Sequence, residues 1–148
     1  MTDRPVNLKR RPQSLTEIVA FSEAGDSFWY AVREFLDHFA GLPGNQGRAQ
    51  ALRDAPPLTG DPVQNAYLAA VAENLTWDRR LPTPEWVFEP ERFLRDPWFA
   101  ASDRPGLRPL LLLESPVMFR RRNLFVSANA LDRARSSLQQ HTWQAVDA

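Results

Sequence analysis

The chain has 148 residues, of which 43% are hydrophobic and 24% charged, so it is long enough and apolar enough to fold as one globular domain. It contains no cysteine, which excludes a disulfide framework, a thiol nucleophile and a thiolate metal site. Eighteen basic and 18 acidic residues give a formal net charge of zero, which argues against a protein that binds nucleic acid through overall basicity.

The first residues of the sequence and its apolar runs indicate where the protein resides. Residues 1–5 lack the apolar core of a signal peptide, and no apolar run, residues 110–113 included, is long enough to span a bilayer. We therefore expect a cytoplasmic protein that does not enter a membrane. Residues 1–13 are basic and interrupted by proline, which predicts a flexible basic arm before a single helical domain over residues 14–148.

Capping and periodicity signals predict helices in the first part of the chain. Ser14 and Glu17 have the spacing of a capping box, so a helix is expected to begin after Ser14. Apolar residues from Phe28 to Phe39 recur at helical spacing and predict a second helix. A short third helix is expected over residues 46–54.

A longer helix is predicted to follow. Asp61 before Pro62 is typical of a helix start, because the aspartate can cap free amides and proline fits the first helical position. The pattern continues to about Trp77. Alanines at 66, 69, 70 and 72 would let other elements approach this helix closely.

Six prolines between residues 81 and 109 preclude a long helix there, because proline lacks an amide donor. The stretch also carries five large aromatic residues: Trp86, Phe88, Phe93, Trp98 and Phe99. Disordered linkers are poor in aromatic residues. We therefore expect an ordered proline-rich aromatic strap packed on the helices, with a helical turn near residues 91–95. The alternative is a groove wall that contacts a partner.

The C-terminal third is harder to assign. Residues 110–113 fit a buried helix or a short strand. Ser115 and Pro116 are typical of a helix start, residues 124–126 fit an extended segment, and Ser127 or Asn129 could cap a last helix. The predicted fold class is mainly α: a single-domain bundle of four to six helices with the strap and room for one short strand.

No glycine-rich phosphate loop, histidine pair at metal spacing or Gly-x-Ser-x-Gly turn is present in the sequence, so no metal or cofactor is expected. One catalytic pattern does occur. Arg33 and His38 resemble the Arg-x4-His motif of the HEPN family, all-helical bacterial domains that include RNases. This resemblance implies His38 as general acid or base and Arg33 as the group that stabilises charge on the scissile phosphate. Glu34 replaces the polar residue that usually follows the arginine, and its charge would repel RNA.

Three consecutive arginines stand between apolar residues in the segment 115–126, which we call the arginine box. Three interpretations are open: a solvated helix end, a contact for nucleic-acid phosphates, or a surface for a protein partner. The third is favoured, since arginine beside aromatic residues is enriched at protein interfaces. The candidate partner-binding residues are Phe119, Arg120, Arg121, Arg122, Asn123 and Phe125.

The motifs LPTPEW (81–86), PWF (97–99), ESPVMFRRRNLFV (114–126) and LDRA (131–134) resemble a group of small bacterial proteins encoded beside toxin or nucleotidyltransferase genes. The resemblance covers residues 81–135 and implies an antitoxin-like role. In that role the protein partner, a toxin or a nucleotidyltransferase, would bind the arginine box, and the protein itself would be non-catalytic. The HEPN-type RNase is the alternative.

Overall fold

The computed structural model describes residues 10–101 and 103–132. Within these residues the chain forms six α-helices: α1 (Leu15–Glu23), α2 (Phe28–Ala40), α3 (Asn45–Arg53), α4 (Pro62–Arg79), α5 (Arg108–Glu114) and α6 (Val117–Arg120). Two short strands, β1 (Trp98–Phe99) and β2 (Leu124–Phe125), form a parallel pair. Three 3-10 turns lie at Glu85–Phe88, Pro90–Arg92 and Pro105–Leu107. The prediction of a mainly α fold is confirmed.

The helix starts follow the local chemistry of the sequence. The Ser14 hydroxyl accepts a hydrogen bond from the Glu17 amide at 3.2 Å, as the capping box predicts. The Glu17 carboxylate bonds back to the amide of Gln13 instead of Ser14, one residue earlier than expected. At α4, the Asp61 carboxylate accepts from the Val63 amide at 2.9 Å, and Pro62 occupies the first turn. Each cap satisfies a backbone donor that the helix itself cannot pair.

Helix α4 is the centre of the fold. It contacts α3, α6, β2 and the two 3-10 turns between Glu85 and Arg92. Its alanines 66, 69, 70 and 72 are buried, so their small side chains let neighbouring backbone come close on several faces. A helix that is buried on most of its faces must pair any polar side chain that it carries inward.

The described residues of the strap, 81–101 and 103–109, include segments packed against the helices. The Trp86 indole donates to the Leu52 carbonyl at 3.2 Å. Arg92, only 1% exposed, donates to the carbonyls of Pro56 at 2.7 Å and Asn65 at 3.4 Å, and it lies over the Trp86 ring. Burial lowers the pKa of Arg92, and the hydrogen bond to Glu89 opposes that shift. The arginine therefore joins the strap to α4 and to the loop that precedes it.

The parallel strand pair fixes the strap to the arginine box. Trp98 is in register with Leu124, and Phe99 with Phe125. The Trp98 amide donates to the Asn123 carbonyl at 2.8 Å, and the Ala100 amide donates to the Phe125 carbonyl at 2.9 Å. A second strand was not expected, because a two-residue pairing leaves no periodic signal in a sequence.

Two local expectations are corrected. Residues 10–13 of the predicted arm are held to the helices: Arg10 pairs with Glu17 at 2.7 Å and Arg11 with Glu34 at 3.2 Å. Residues 1–9 and the predicted last helix beyond residue 132 lie outside the described residues.

Ser115 does not cap α6. Its buried hydroxyl accepts from the Val126 amide at 2.9 Å and lies within hydrogen-bonding distance of the Leu111 carbonyl. It therefore joins α5 to the end of β2, a tertiary role that overrides its local tendency to cap.

Candidate functional site

The arginine box runs through α6 and β2, and its third arginine lies in the core. Arg122 is 0% exposed. Its guanidinium donates to the Glu73 carboxylate at 2.7 Å, to the Met118 carbonyl at 2.9 Å and to the Val87 carbonyl at 2.8 Å. The prediction that Arg122 contacts a partner is therefore wrong for this fold, because the side chain is used up by internal acceptors.

Arg122 has a charged partner in the interior, but its hydrogen bonds within the described residues are incomplete. Its guanidinium lies 4.5 Å from the centre of the Phe93 ring, and its Nε has no hydrogen-bond partner among residues 10–101 and 103–132. Desolvation lowers the pKa of Arg122, while the hydrogen bond to Glu73 acts in the opposite direction. Glu73 is itself buried on α4, so the two charges form one internal ion pair.

Most apolar members of the box are also interior. Phe119 and Phe125 are buried, and Phe119 packs edge-on against Tyr67 at 5.1 Å between ring centres. This corrects the expectation that these rings are presented at the surface. Phe119 on α6 turns toward α4, whereas Phe125 on β2 stacks on Phe99 with ring centres 5.0 Å apart, so both rings bury apolar area that the surface would leave in water.

Asn123 stabilises the backbone of the turn between α6 and β2. It adopts a positive φ of 63°, a conformation that asparagine tolerates better than most residues. Its side-chain amide donates to the Leu94 carbonyl at 3.0 Å. Asn123 thus lets the chain turn from α6 into β2 and holds the strap at the same point.

Two guanidinium groups of the box do reach the surface. Arg121 is 44% exposed, lies 3.5 Å from the second carboxylate oxygen of Glu73 and sits over the Phe88 ring. Arg120 is exposed and donates to the Ser115 carbonyl at 3.0 Å. In residues 10–101 and 103–132, no ion pair involves Arg120. The cationic surface of the box therefore consists of Arg120 and Arg121.

Exposed apolar residues precede these two arginines in the chain. Residues 110–113 form a helix, but only Leu111 faces the core; Leu113 is 79% exposed, and Leu110 and Leu112 are exposed too. Val117, in the first turn of α6, is exposed as well. The expectation of a buried run is thus corrected: α5 turns one leucine inward and leaves the others in solvent. We call Leu110, Leu113, Val117, Arg120 and Arg121 the α5–α6 surface.

Arg33 and His38, the alternative catalytic pair, both lie on α2. Five residues along an α-helix correspond to a rotation of about 140°, so the two side chains leave the helix in different directions. Arg33 is exposed. His38 lines a polar groove of about 420 Å³ together with Glu17 and Asp54, and Arg33 does not line that groove.

The surroundings of His38 favour its neutral form. Desolvation lowers the pKa of His38, and the positive charge of Arg11 adds to that shift, whereas Glu17 opposes it. A neutral imidazole can act as a base, but the arginine of the motif is not placed in the same groove.

Glu73 and Tyr67 are the residues of consequence that sequence reasoning missed. Glu73 follows Ala66, Ala69 and Ala70 at the helical spacing of a buried face, and a carboxylate there implies an internal cation. That signal was present in the sequence. Its partner Arg122, 49 positions later, could not be read from it.

Two further searches concern the described residues alone. No helix among them is long and apolar enough to cross a membrane. No cluster of three or more His, Asp or Glu side chains among them is arranged to hold a metal ion.

We compared the chain with protein-family models, with curated proteins and with solved structures, and none matches it.

Proposed function

We propose that this protein is a small non-catalytic interaction protein that binds a partner protein through the α5–α6 surface. The observation that carries the proposal is the set of solvent-exposed leucine and valine side chains on α5 and α6, the helix that ends at Arg120 and is followed by the exposed Arg121. Adjacent exposed apolar side chains with a charged rim are typical of protein interaction sites.

The apolar part would supply most of the binding free energy. Removing one leucine side chain from water contributes about 1.5–3 kcal/mol when burial is complete. Leu113 is 79% exposed in the free chain, so nearly all of that gain is still available to a complex. Leu110 lies one helical turn earlier, which extends the apolar row along α5.

The two arginines define the chemistry of the partner. Arg120 pairs with no carboxylate among the described residues, and Arg121 shares Glu73 with Arg122. A partner with an acidic rim around an apolar centre would complement both features. Nucleic acid fits less well, because phosphates would pair with the arginines and leave the leucines in water.

The antitoxin-like role is the specific form of this proposal. A toxin or nucleotidyltransferase encoded beside the gene would be the partner, and binding would cover an acidic surface or an active-site entrance. The support is the resemblance over residues 81–135 together with the exposed α5–α6 surface.

The test is the affinity for the product of the neighbouring gene, measured by calorimetry on purified proteins. Leu113→Ser and Arg120→Ala should each weaken binding about tenfold or more, as expected for central interface positions. Matched controls are Leu58→Ser and Arg53→Ala, which change an exposed leucine and an exposed arginine elsewhere. Unchanged affinity in Leu113→Ser and Arg120→Ala would show that the surface is misplaced.

The RNase alternative has its own test. Loss of RNA cleavage in both Arg33→Ala and His38→Ala would favour it over the interaction protein. We rank it second because His38 lines the polar groove without Arg33.

A further inference from the structure

A second candidate site lies on another part of the molecule, where α2, α4 and β1 meet. It is a pocket of about 320 Å³. Its principal walls are Trp29, Tyr67, Trp98, Phe99, Val126 and Ser127. We call it the aromatic pocket; the arguments for it do not depend on the function proposed above.

The rings of this pocket are arranged as a platform and a wall. Trp29 and Trp98 are stacked, with ring centres 5.7 Å apart and planes within 8° of each other. Tyr67 meets Trp29 edge-on at 4.9 Å and 84°. Trp29 is still 42% exposed, so part of this indole remains available to another ring. Stacked and edge-on contacts are the geometries in which aromatic rings attract each other.

The Tyr67 hydroxyl is the feature that points to a ligand. Tyr67 is only 8% exposed, yet its hydroxyl makes no hydrogen bond to any residue of 10–101 or 103–132. The hydroxyl is not among the fully buried polar atoms that lack a partner; what points to a ligand is that Tyr67 lines the pocket, where an acceptor on a bound molecule could pair with it. Burial raises the pKa of Tyr67 to about 12, so the group remains a neutral donor near pH 7.

The walls also restrict the charge of a ligand. None of the described residues that line the pocket is acidic, basic or a histidine. Arg108 lies over the Phe99 ring, 4.9 Å from its centre, but it does not line the pocket. An anionic group inside would therefore lack a paired charge, which is unfavourable in an apolar site.

We infer that the aromatic pocket binds a neutral aromatic molecule of one or two rings that carries a hydrogen-bond acceptor. The ring would pack against Trp29 and Trp98, and the acceptor would accept a hydrogen bond from the Tyr67 hydroxyl. The volume is at the lower end of the range for small-molecule sites, which suits a compact ring system.

A panel of four probes tests this on the full chain by NMR titration, with the indole N–H signals of Trp29 and Trp98 as reporters. Benzamide has the ring and the acceptor and should bind with a Kd on the order of millimolar, as expected for a ligand of its size. Toluene lacks the acceptor, cyclohexanecarboxamide lacks the aromatic face, and benzoate carries a negative charge. Each of these three should bind several-fold more weakly than benzamide.

Variants then assign the contact to Tyr67. Tyr67→Phe should weaken benzamide about fivefold, the effect of one hydrogen bond, and leave toluene unchanged. The control Tyr30→Phe alters an exposed tyrosine outside the pocket and should change neither. Equal binding of benzamide and cyclohexanecarboxamide would overturn the inference. So would benzoate binding at least as well as benzamide, or absence of benzamide binding. Wild-type benzamide affinity in Tyr67→Phe would also overturn it, and if that variant does not fold the probe panel on the wild-type chain decides.

Discussion

The ion pair between Arg122 and Glu73 allows a quantitative test of what holds the core together. Both side chains are buried, and the closest nitrogen–oxygen distance is 2.7 Å. Arg122→Met keeps most of the volume and removes the charge, so it leaves Glu73 buried with only the half-exposed Arg121 at 3.5 Å. Removal of one member of a buried pair costs about 3–5 kcal/mol. Because Glu73 keeps its contact with Arg121, we expect the cost of Arg122→Met to lie in the lower half of that range.

Glu73→Leu removes the other member of the pair. It leaves the guanidinium of Arg122 with two carbonyl acceptors and no counter-charge. We expect a cost of about 4 kcal/mol, since a desolvated cation is left unpaired. The double variant Arg122→Met with Glu73→Leu replaces the pair by apolar side chains. It should lose several kcal/mol less than the sum of the two single variants.

The assay is urea unfolding at pH 7 followed by tryptophan fluorescence, with the free energy of unfolding extrapolated to water. The control is Arg120→Met, which changes an exposed arginine two residues earlier and should cost about 0.5 kcal/mol or less. If Arg122→Met costs under 1 kcal/mol, or if the single effects simply add, the buried pair does not stabilise the fold as we describe.

Two further predictions concern polar groups in the interior. Ser115→Ala removes the acceptor of the buried Val126 amide and should lower the free energy of unfolding by about 1–3 kcal/mol. The control Ser127→Ala, closer to the surface, should change it little. Equal effects of the two substitutions in urea unfolding would contradict the role of Ser115. For Tyr67, the folded-state pKa of about 12 lies above the unfolded value of 10.0, so the folded chain holds the proton longer and its stabilisation is present below pH 10 and lost as pH rises toward 12. The wild type should therefore lose up to about 3 kcal/mol more than Tyr67→Phe over that interval, measured by urea unfolding at several pH values with Tyr30→Phe as control. Parallel losses in wild type and Tyr67→Phe would refute the prediction.

Local chemistry predicted the helices well, because a cap or a periodic stripe depends on residues within a few positions of each other. Ser14 and Asp61 cap the helices that they were expected to cap. The short helix near residue 50 and the interruption at Gly25, with a φ of 116°, also follow from nearby residues.

The candidate site was less predictable, because contacts between residues far apart in the sequence decide which of its side chains are buried and which are exposed. Nothing within the arginine box distinguishes Arg122 from Arg120, yet one is in the core and the other in solvent. The difference is set by Glu73 on α4 and by the Val87 carbonyl in the strap, 49 and 35 residues away. Similarly, the four-leucine run of residues 110–113 could not show which one leucine would face inward.

The two buried guanidinium groups restrict the substitutions that the strap and the arginine box can accept. Arg92 reaches the carbonyls of Pro56 and Asn65, and Arg122 reaches those of Val87 and Met118. A lysine at either position would bring one compact ammonium, which cannot span acceptors that a flat, forked group serves together. We therefore expect Arg92→Lys and Arg122→Lys to destabilise the fold although the charge is kept.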